Sequence, residues 1–322
     1  MSVQEELTRI LRTTLSIAVA LGWIPSNSMA QSDGPDGNGS IHSRFMDSDI
    51  VITTTSRLAG AIHSLTWNGK EFIDSSDHGR QLQSASNFDA GSAFTGETFN
   101  PTEAGSLHDG AGDHSTSRLL HYLAKENQLQ TTSQMAFWLR PDERSAGHPA
   151  KNTTKLSDHL LTKRVTIGYR DLPNVISYDV TFGVPIGESH QFAQFESLTG
   201  YMPVEFRRFV VFNEASGQFE SLSDGPGEQG LPVALSTVDG NFAMGIYAPD
   251  QPSEGFENAG YGRWNFRQQH VVKWNCVFRI RDTTGIAAGD YSYRMFVIMG
   301  TLEDVRLGMI RLHSAKEGHF SE

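Results

Sequence analysis

The chain has little of several features that define large protein classes. Only one of its 322 residues is cysteine, Cys276, so an intramolecular disulfide is excluded. Basic residues are outnumbered, with 26 lysines and arginines against 37 aspartates and glutamates. Because nucleic-acid binding depends on clustered basic side chains, this balance argues against a nucleic-acid partner. A chain of this length buries enough surface to fold without disulfides.

Several enzyme signatures are also missing. The sequence contains no Gly-x-Ser-x-Gly elbow, no Walker loop, no His-Glu-x-x-His motif and no dinucleotide fingerprint placed between a strand and a helix. These absences argue against the commonest hydrolase, NTPase, metalloprotease and dehydrogenase classes. The loop from His108 to His114 offers nitrogen and oxygen ligands, but its spacing fits neither a structural zinc site nor an EF-hand. We expect no cofactor and no bound metal.

Long apolar runs are absent as well. The run Leu15–Ile24 follows Arg9 and Arg12 and precedes the small residues of Ser28-Met29-Ala30. This pattern predicts a cleaved signal peptide over residues 1–30, with an N-terminal amphipathic helix as the alternative. No later run reaches the roughly 18 apolar residues of a transmembrane helix. We therefore expect a periplasmic or secreted protein without a membrane span.

Residues 31–40 are rich in Gly, Ser, Asp and Asn, which predicts a flexible linker. Beyond it, short apolar or alternating runs recur between turn residues, and pairs such as Asn68-Gly69 are typical of hairpins. Only Leu302–His313 has a helical apolar stripe. The sequence predicts one all-β domain over residues 41–322, a large antiparallel β-sandwich with a short C-terminal helix.

Eleven strands are predicted within this domain, each a run rich in β-branched, aromatic or alternating apolar residues. They are Ile50–Thr55, Ala61–Trp67, Leu119–Leu123, Leu129–Leu139, Leu161–Tyr169, Val175–Val184, Phe206–Phe212, Val233–Val238, Phe242–Tyr247, Val271–Ile280 and Tyr291–Met299.

Two polar segments lie close together between the predicted strands: Asp77-His78-Gly79-Arg80-Gln81-Leu82-Gln83 and Asn100-Pro101-Thr102-Glu103-Ala104-Gly105. Acid, base, guanidinium and amide groups in one neighbourhood favour a polar ligand, and a sugar fits best. The alternatives are a polar turn, in which Asp77 caps amides and Arg80 pairs with a carboxylate, and a loop carboxylate satisfied by amides. We predict two catalytic residues, His78 and Glu103, and four substrate-binding residues, Asp77, Arg80, Gln83 and Asn100.

A family resemblance supports the sugar hypothesis. The segment Gly60-Ala61-Ile62-His63-Ser64-Leu65-Thr66-Trp67-Asn68-Gly69-Lys70-Glu71-Phe72 resembles the opening hairpin of the galactose mutarotase-like superfamily, and Gly79-Arg80 resembles the Gly-Arg of aldose 1-epimerases. The resemblance implies a large antiparallel supersandwich, a carbohydrate ligand and a substrate-binding role for Arg80. The epimerase segment Asn-His-x-Tyr-x-Asn-Leu is absent, and the C-terminal glutamate base has no clear counterpart. The resemblance therefore supplies no acid or base.

A second group of candidates lies further along the chain. Glu196 and Tyr201 fall in Gln194-Phe195-Glu196-Ser197-Leu198-Thr199-Gly200-Tyr201-Met202-Pro203, and we predict both as catalytic, with a solvated strand end as the alternative. In Tyr261-Gly262-Arg263-Trp264-Asn265-Phe266, Trp264 is predicted as a platform on which a sugar stacks, with a core aromatic as the alternative. His108 is predicted to reach the substrate.

These residues suit cleavage of a glycosidic bond in a poly- or oligosaccharide. In a hydrolase, Glu103 and Glu196 would form the carboxylate pair, about 5 Å apart for retention or about 6.5–9.5 Å for inversion. In a polysaccharide lyase, His78 or Tyr201 would remove the proton alpha to a uronate carboxylate that Arg80 neutralises. A non-catalytic sugar-binding protein and an atypical sugar epimerase are the alternatives. The sequence leaves the sugar and the oligomeric state open.

Overall fold

The computed structural model describes residues 34–248 and 256–317. The predicted signal peptide lies outside these residues, as do the first three residues of the predicted linker. None of the described helices is long and apolar enough to cross a membrane.

The described residues form twenty-one strands and one α-helix. In chain order, the strands are β1 (Gly39–Phe45), β2 (Ser48–Thr54), β3 (Ile62–Trp67), β4 (Lys70–Glu71), β5 (Leu82–Phe88), β6 (Pro101–Thr102), β7 (Arg118–Lys125), β8 (Gln128–Phe137), β9 (Arg144–Ser145), β10 (His148–Pro149), β11 (Leu156–Tyr169), β12 (Leu172–Val184), β13 (Phe192–Pro203), β14 (Arg208–Asn213), β15 (Gln218–Ser221), β16 (Gly227–Gln229), β17 (Val233–Ser236), β18 (Ala243–Tyr247), β19 (Phe256–Phe266), β20 (Val271–Arg281) and β21 (Gly289–Gly300). The helix α1 spans Leu302–Glu317.

The strands form two antiparallel layers. The first layer has the order β1-β2-β3-β5-β13-β20-β19-β16. The second has the order β7-β8-β11-β12-β21-β18-β17-β14-β15. The short β6 pairs with both β5 and β8 and so connects the two layers. The predicted all-β sandwich is confirmed.

Alternating side chains from both layers form the core between them. On β20, Val272, Trp274, Cys276 and Phe278 are buried in it, and β12 contributes a similar row that includes Tyr178. Burying each large apolar side chain stabilises the fold by about 1.5–3 kcal/mol. Burial also raises the pKa of the Cys276 thiol above its ordinary value, so the thiol stays protonated.

The predicted C-terminal helix is also confirmed. Val305, Met309 and Leu312 of α1 are buried against the outer face of the second layer, where they meet side chains such as Val175 and Ile298. Around β12, β21 and β18 the second layer is therefore covered on both faces, by the core and by α1.

All eleven predicted strands overlap observed ones, and ten observed strands lie outside the predicted set. Four of these are long, β1, β5, β13 and β19, and six have four residues or fewer, β4, β6, β9, β10, β15 and β16. Part of the predicted linker belongs to β1, and Gly37 N donates to Ser56 Oγ at 2.8 Å. The strands β5, β13 and β19 are central in the first layer, and their outward faces carry polar side chains. Because of these polar residues, the three strands lack the apolar periodicity by which buried strands are recognised.

Candidate functional site

A cavity of about 410 Å³ opens at one end of the first layer. This volume falls within the range of about 300–1,000 Å³ that is typical of small-molecule sites. Its lining comes from two loops, from Trp138, which follows β8, and from the ends of β13, β19 and β20. The lining residues are Asp77, His78, Gly79, Arg80, Ser106, Leu107, Gly110, Trp138, Tyr201, Phe266, Gln269 and Val271.

Three aromatic side chains form apolar walls of the cavity. The Tyr201 and Phe266 rings are stacked, with centroids 6.4 Å apart and planes at 17°. Trp138 lies against the loop at Gly79, where an added Cβ atom would come within 2.8 Å of Trp138 Cη2. Glycine at position 79 therefore allows the indole to approach the loop. Such rings can stack on the C–H face of a sugar.

Arg80 provides positive charge at the cavity. Its Nε lies 3.3 Å from Asp77 Oδ2, and its Nη1 donates to Ser76 Oγ at 3.1 Å. Asp77 Oδ1 also accepts a bond from Gly79 N at 2.9 Å. Both contacts of the alternative polar-turn interpretation are thus present. They hold the guanidinium in place, and no described residue accepts a hydrogen bond from Nη2.

His78 holds two segments together. Its Nδ1 lies 2.7 Å from Gly110 O and its Nε2 lies 2.8 Å from Arg57 O. The side chain is buried. Because both ring nitrogens face carbonyl oxygens, neither is directed at the cavity. In this structure His78 fixes the loop that contains Gly110 rather than presenting an acid or base.

A polar face continues from the cavity along the first layer, formed by Glu196, Thr199, Tyr201, Lys273 and Trp264. A bulge in β13 after Glu196 shifts the strand register, so Glu196 and Thr199 lie on the same side although they are three residues apart. Thr199 Oγ1 donates to Glu196 Oε2 at 2.7 Å. Tyr201 belongs to both the cavity and this face.

Lys273 lies at the centre of the polar face. Its Nζ is 3.4 Å from Glu196 Oε2, 5.1 Å from the centre of the Tyr201 ring and 4.9 Å from that of Trp264. Burial alone would lower the pKa of Lys273, but Glu196 and Tyr201 raise it above its ordinary value. Burial would raise the pKa of Glu196, but Lys273 and hydrogen bonds lower it. Both groups are charged at neutral pH.

Glu103 lies on the opposite side of the sheet from this face. It is buried and forms an ion pair with Lys163 of β11, which is also buried. Its Oε2 accepts a bond from Ser84 N at 3.0 Å. Burial, followed by the charge of Glu103, raises the pKa of the nearby core residue Tyr178. Glu103 and Glu196 therefore do not form an open carboxylate pair in this structure.

The other predicted residues lie around the cavity without lining it. Gln83 Nε2 donates to Gly79 O at 3.0 Å and supports the Arg80 loop. Asn100 is buried, and its amide donates to Ser86 O at 2.6 Å. His108 is exposed and pairs with Glu143. Trp264 is half-buried on the polar face.

Three residues of the site were not predicted from the sequence: Trp138, Phe266 and Lys273. Trp138 and Lys273 fell in predicted strands, and in the segment from Tyr261 to Phe266 the stacking role was assigned to Trp264. Among the described residues, one group has the composition and spacing of metal ligands: His159, Glu188 and His190. None of the three lines the cavity.

No family model matches the chain, and no curated protein matches it. Among solved structures, it is similar to an alpha-mannosidase from Enterococcus faecalis V583, with 12% identity and a TM-score of 0.50 over 88% of this chain and 31% of that one. It is also similar to the Slr1438 protein from Synechocystis sp. PCC 6803, with 10% identity and a TM-score of 0.42 over 83% and 97% of the two chains. A third is heparan sulfate lyase HepC from Pedobacter heparinus, with 10% identity and a TM-score of 0.40 over 83% and 36%. The mannosidase likeness shows a shared fold.

Proposed function

We propose that the protein is a carbohydrate-active enzyme that binds a uronate-containing poly- or oligosaccharide in the cavity and cleaves it by β-elimination. One observation carries this proposal: Arg80 and Tyr201, which are distant in sequence, line the same aromatic-walled cavity. The fold shared with part of an alpha-mannosidase supports a carbohydrate as the ligand. The predicted signal peptide supports a periplasmic or secreted location.

The proposed reaction needs few groups. Arg80 pairs with the uronate carboxylate, which stabilises the negative charge that develops when the neighbouring carbon loses its proton. Tyr201, as the phenolate, accepts that proton. The electron pair forms a carbon–carbon double bond, the glycosidic C–O bond breaks, and the departing oxygen takes up a proton from Tyr201. The Lys273 ammonium faces the Tyr201 ring, with Nζ 5.1 Å from its centre.

The geometry favours elimination over hydrolysis with the predicted residues. Hydrolysis uses two carboxylates that both contact the substrate. Glu196 is on the polar face, but Glu103 is inside the core and paired with Lys163. Elimination instead uses Arg80 and Tyr201, which the cavity brings together.

A non-catalytic sugar-binding protein is the second candidate. It is favoured by the observation that the two cations of the site already have partners: Arg80 faces Asp77, and Lys273 faces Glu196. Such pairs fix side chains in a ready-made binding surface at little further cost in entropy. The same cavity would then hold a glycan without reaction.

Incubation with neutral and uronate-containing glycans distinguishes these functions. Elimination is expected to produce ultraviolet absorbance from unsaturated ends, together with new reducing ends, on uronate glycans only. New reducing ends without absorbance would instead indicate hydrolysis. Binding without either product would indicate a sugar-binding protein, and faster anomeric exchange of monosaccharides would indicate an epimerase.

Replacing Arg80 with alanine is expected to weaken binding of a uronate oligosaccharide by about 10- to 100-fold, since a hydrogen-bonded charge contributes about 1.5–3 kcal/mol. The change also leaves Asp77 without its partner, which adds repulsion. Isothermal titration calorimetry of Arg80→Ala in the Tyr201→Phe background measures the affinity, because Tyr201→Phe suppresses turnover.

The matched control for that substitution is Arg118→Ala. Arg118 is exposed on β7 and does not line the cavity. The affinity of Arg118→Ala for the uronate oligosaccharide should equal that of the parent protein. If both variants bound uronate and neutral oligosaccharides as the parent does, Arg80 would have no role in recognising the carboxylate.

A further inference from the structure

Two histidines and a glutamate converge at one point of the fold. His159 lies near the start of β11, His190 precedes β13, and Glu188 is in the loop after β12. Glu188 Oε2 is 2.8 Å from the Nε2 atom of His159 and 2.8 Å from that of His190. The three ligand atoms all lie within 4.8 Å of one another.

The walls around this group are apolar and rigid. Both imidazoles are buried. Their centroids lie 4.8 Å (His159) and 4.5 Å (His190) from that of Phe88, and His190 is 5.6 Å from Phe99. These contacts fix the planes of both rings. Close packing of this kind preserves the geometry that a metal site requires.

Asp89 provides an independent indication of a ligand. The Nδ1 atom of His190 lies 3.6 Å from Asp89 Oδ1 and makes no closer hydrogen bond with the described residues. Gln191 N donates to both carboxylate oxygens of Asp89 at 3.1 Å. A carboxylate behind a metal-binding imidazole fixes its tautomer and raises its basicity. Asp89 lies behind His190 in this way: it faces Nδ1, whereas Glu188 faces Nε2 of the same ring.

We propose that His159, Glu188 and His190 bind one Zn²⁺ ion through two imidazole nitrogens and one carboxylate oxygen. This donor set with water as the fourth ligand is typical of zinc, whereas Ca²⁺ and Mg²⁺ prefer oxygen ligands throughout. The ion ties the start of β11 to the segment that leads into β13.

Zinc binding replaces two hydrogen bonds by metal–ligand bonds. In the structure each Nε2 carries the proton that faces Glu188 Oε2. When zinc binds at Nε2, a neutral imidazole carries its proton on Nδ1 instead, and a doubly protonated one releases the Nε2 proton to solvent. Burial alone would raise the pKa of Glu188, but the two histidines lower it to about 2, so the carboxylate is already ionised. Metal–ligand distances of about 2.0–2.2 Å require small shifts of the three atoms. Glu188 can make such a shift because it is partly exposed in a loop.

The test uses the full chain, stripped with a chelator and then titrated with ZnCl₂. Calorimetry should show one equivalent of tightly bound zinc, retained on desalting as measured by mass spectrometry. Glu188→Gln and His190→Gln should each lower the affinity at least 100-fold, and Asp89→Asn should lower it about 10- to 100-fold. Zinc should also raise the unfolding temperature of the wild type.

His114→Ala is the matched control, because His114 is a highly exposed histidine beside Asp113 that could bind zinc adventitiously. Its affinity and stoichiometry should equal those of the wild type. Co²⁺ added to the wild type alone should give the visible absorption of a tetrahedral ion, a readout independent of variant folding. Failure of the wild type to retain zinc, absence of the Co²⁺ absorption, or zinc binding lost in His114→Ala and kept in Glu188→Gln would each overturn the proposal.

Discussion

Replacing Tyr201 with phenylalanine is expected to lower turnover of a uronate glycan by about 10²- to 10⁴-fold, the usual contribution of a proton-transferring side chain. KM should change little, since the phenyl ring keeps the stacking contact with Phe266. The substitution removes only the hydroxyl that takes up and returns the proton. Initial rates of double-bond formation, measured over a range of substrate concentrations, separate turnover from KM.

Tyr169→Phe provides the control for this substitution. Tyr169 packs against Phe296 in a tilted arrangement, with ring centroids 4.6 Å apart, and it does not line the cavity. Removing the Tyr169 hydroxyl should leave turnover unchanged. Equal turnover in the wild type and Tyr201→Phe would contradict the proposed mechanism and direct attention to another base.

The second large effect concerns stability. Lys163→Met is expected to lower the free energy of unfolding by about 3–5 kcal/mol, because it leaves the Glu103 carboxylate buried without its partner. Glu103→Gln should have a similar effect, because it leaves the Lys163 ammonium buried without its partner. Urea unfolding followed by circular dichroism gives these values.

The double variant Glu103→Gln/Lys163→Met distinguishes the ion pair from simple packing. It removes both charges, so its loss of stability should be smaller than the sum of the two single losses. Catalytic activity of a folded double variant should also persist, since neither residue contacts the cavity. Additive losses, or a single loss below about 1 kcal/mol, would show that the pair contributes no coupling.

The sequence predicted the strands that carry ordinary apolar periodicity. In β12, Ile176, Tyr178, Val180 and Phe182 alternate with polar residues and are all buried in the core. The helix α1 was likewise predicted through Val305, Met309 and Leu312. In such segments the buried positions are also the apolar positions of the sequence, so the strand or helix can be predicted from its own residues.

Two strands that carry site residues, β13 and β19, and the adjacent β5 were not predicted, whereas β20, which carries Lys273, was. Strand β5 has Leu82 and Phe88 as its only large apolar residues, with four polar residues and one alanine between them. Strand β13 has a bulge after Glu196 that breaks its alternation. Polar residues on the outward face interrupt the alternation of apolar and polar residues by which a strand is recognised. These strands of the functional face were therefore the hardest to predict.

Of the two polar segments, only the first contributes to the cavity. Asp77, His78 and Arg80 line it together with Tyr201, as a polar ligand site requires. In the second segment, Glu103 and Asn100 are buried and satisfied by neighbouring groups. Sequence shows that a carboxylate is near a loop, but the side of a sheet on which it lies depends on pairing between distant strands. Lys163, the partner of Glu103, is 60 residues away.

A crystal structure of Tyr201→Phe with a bound uronate oligosaccharide would show where the substrate lies relative to Arg80 and position 201. We expect a uronate carboxylate on the Arg80 guanidinium, with sugar rings against Trp138 and Phe266 and the alpha carbon facing position 201. A saccharide bound elsewhere on the molecule, with Arg80 still paired only with Asp77 and the cavity without sugar, would contradict this expectation.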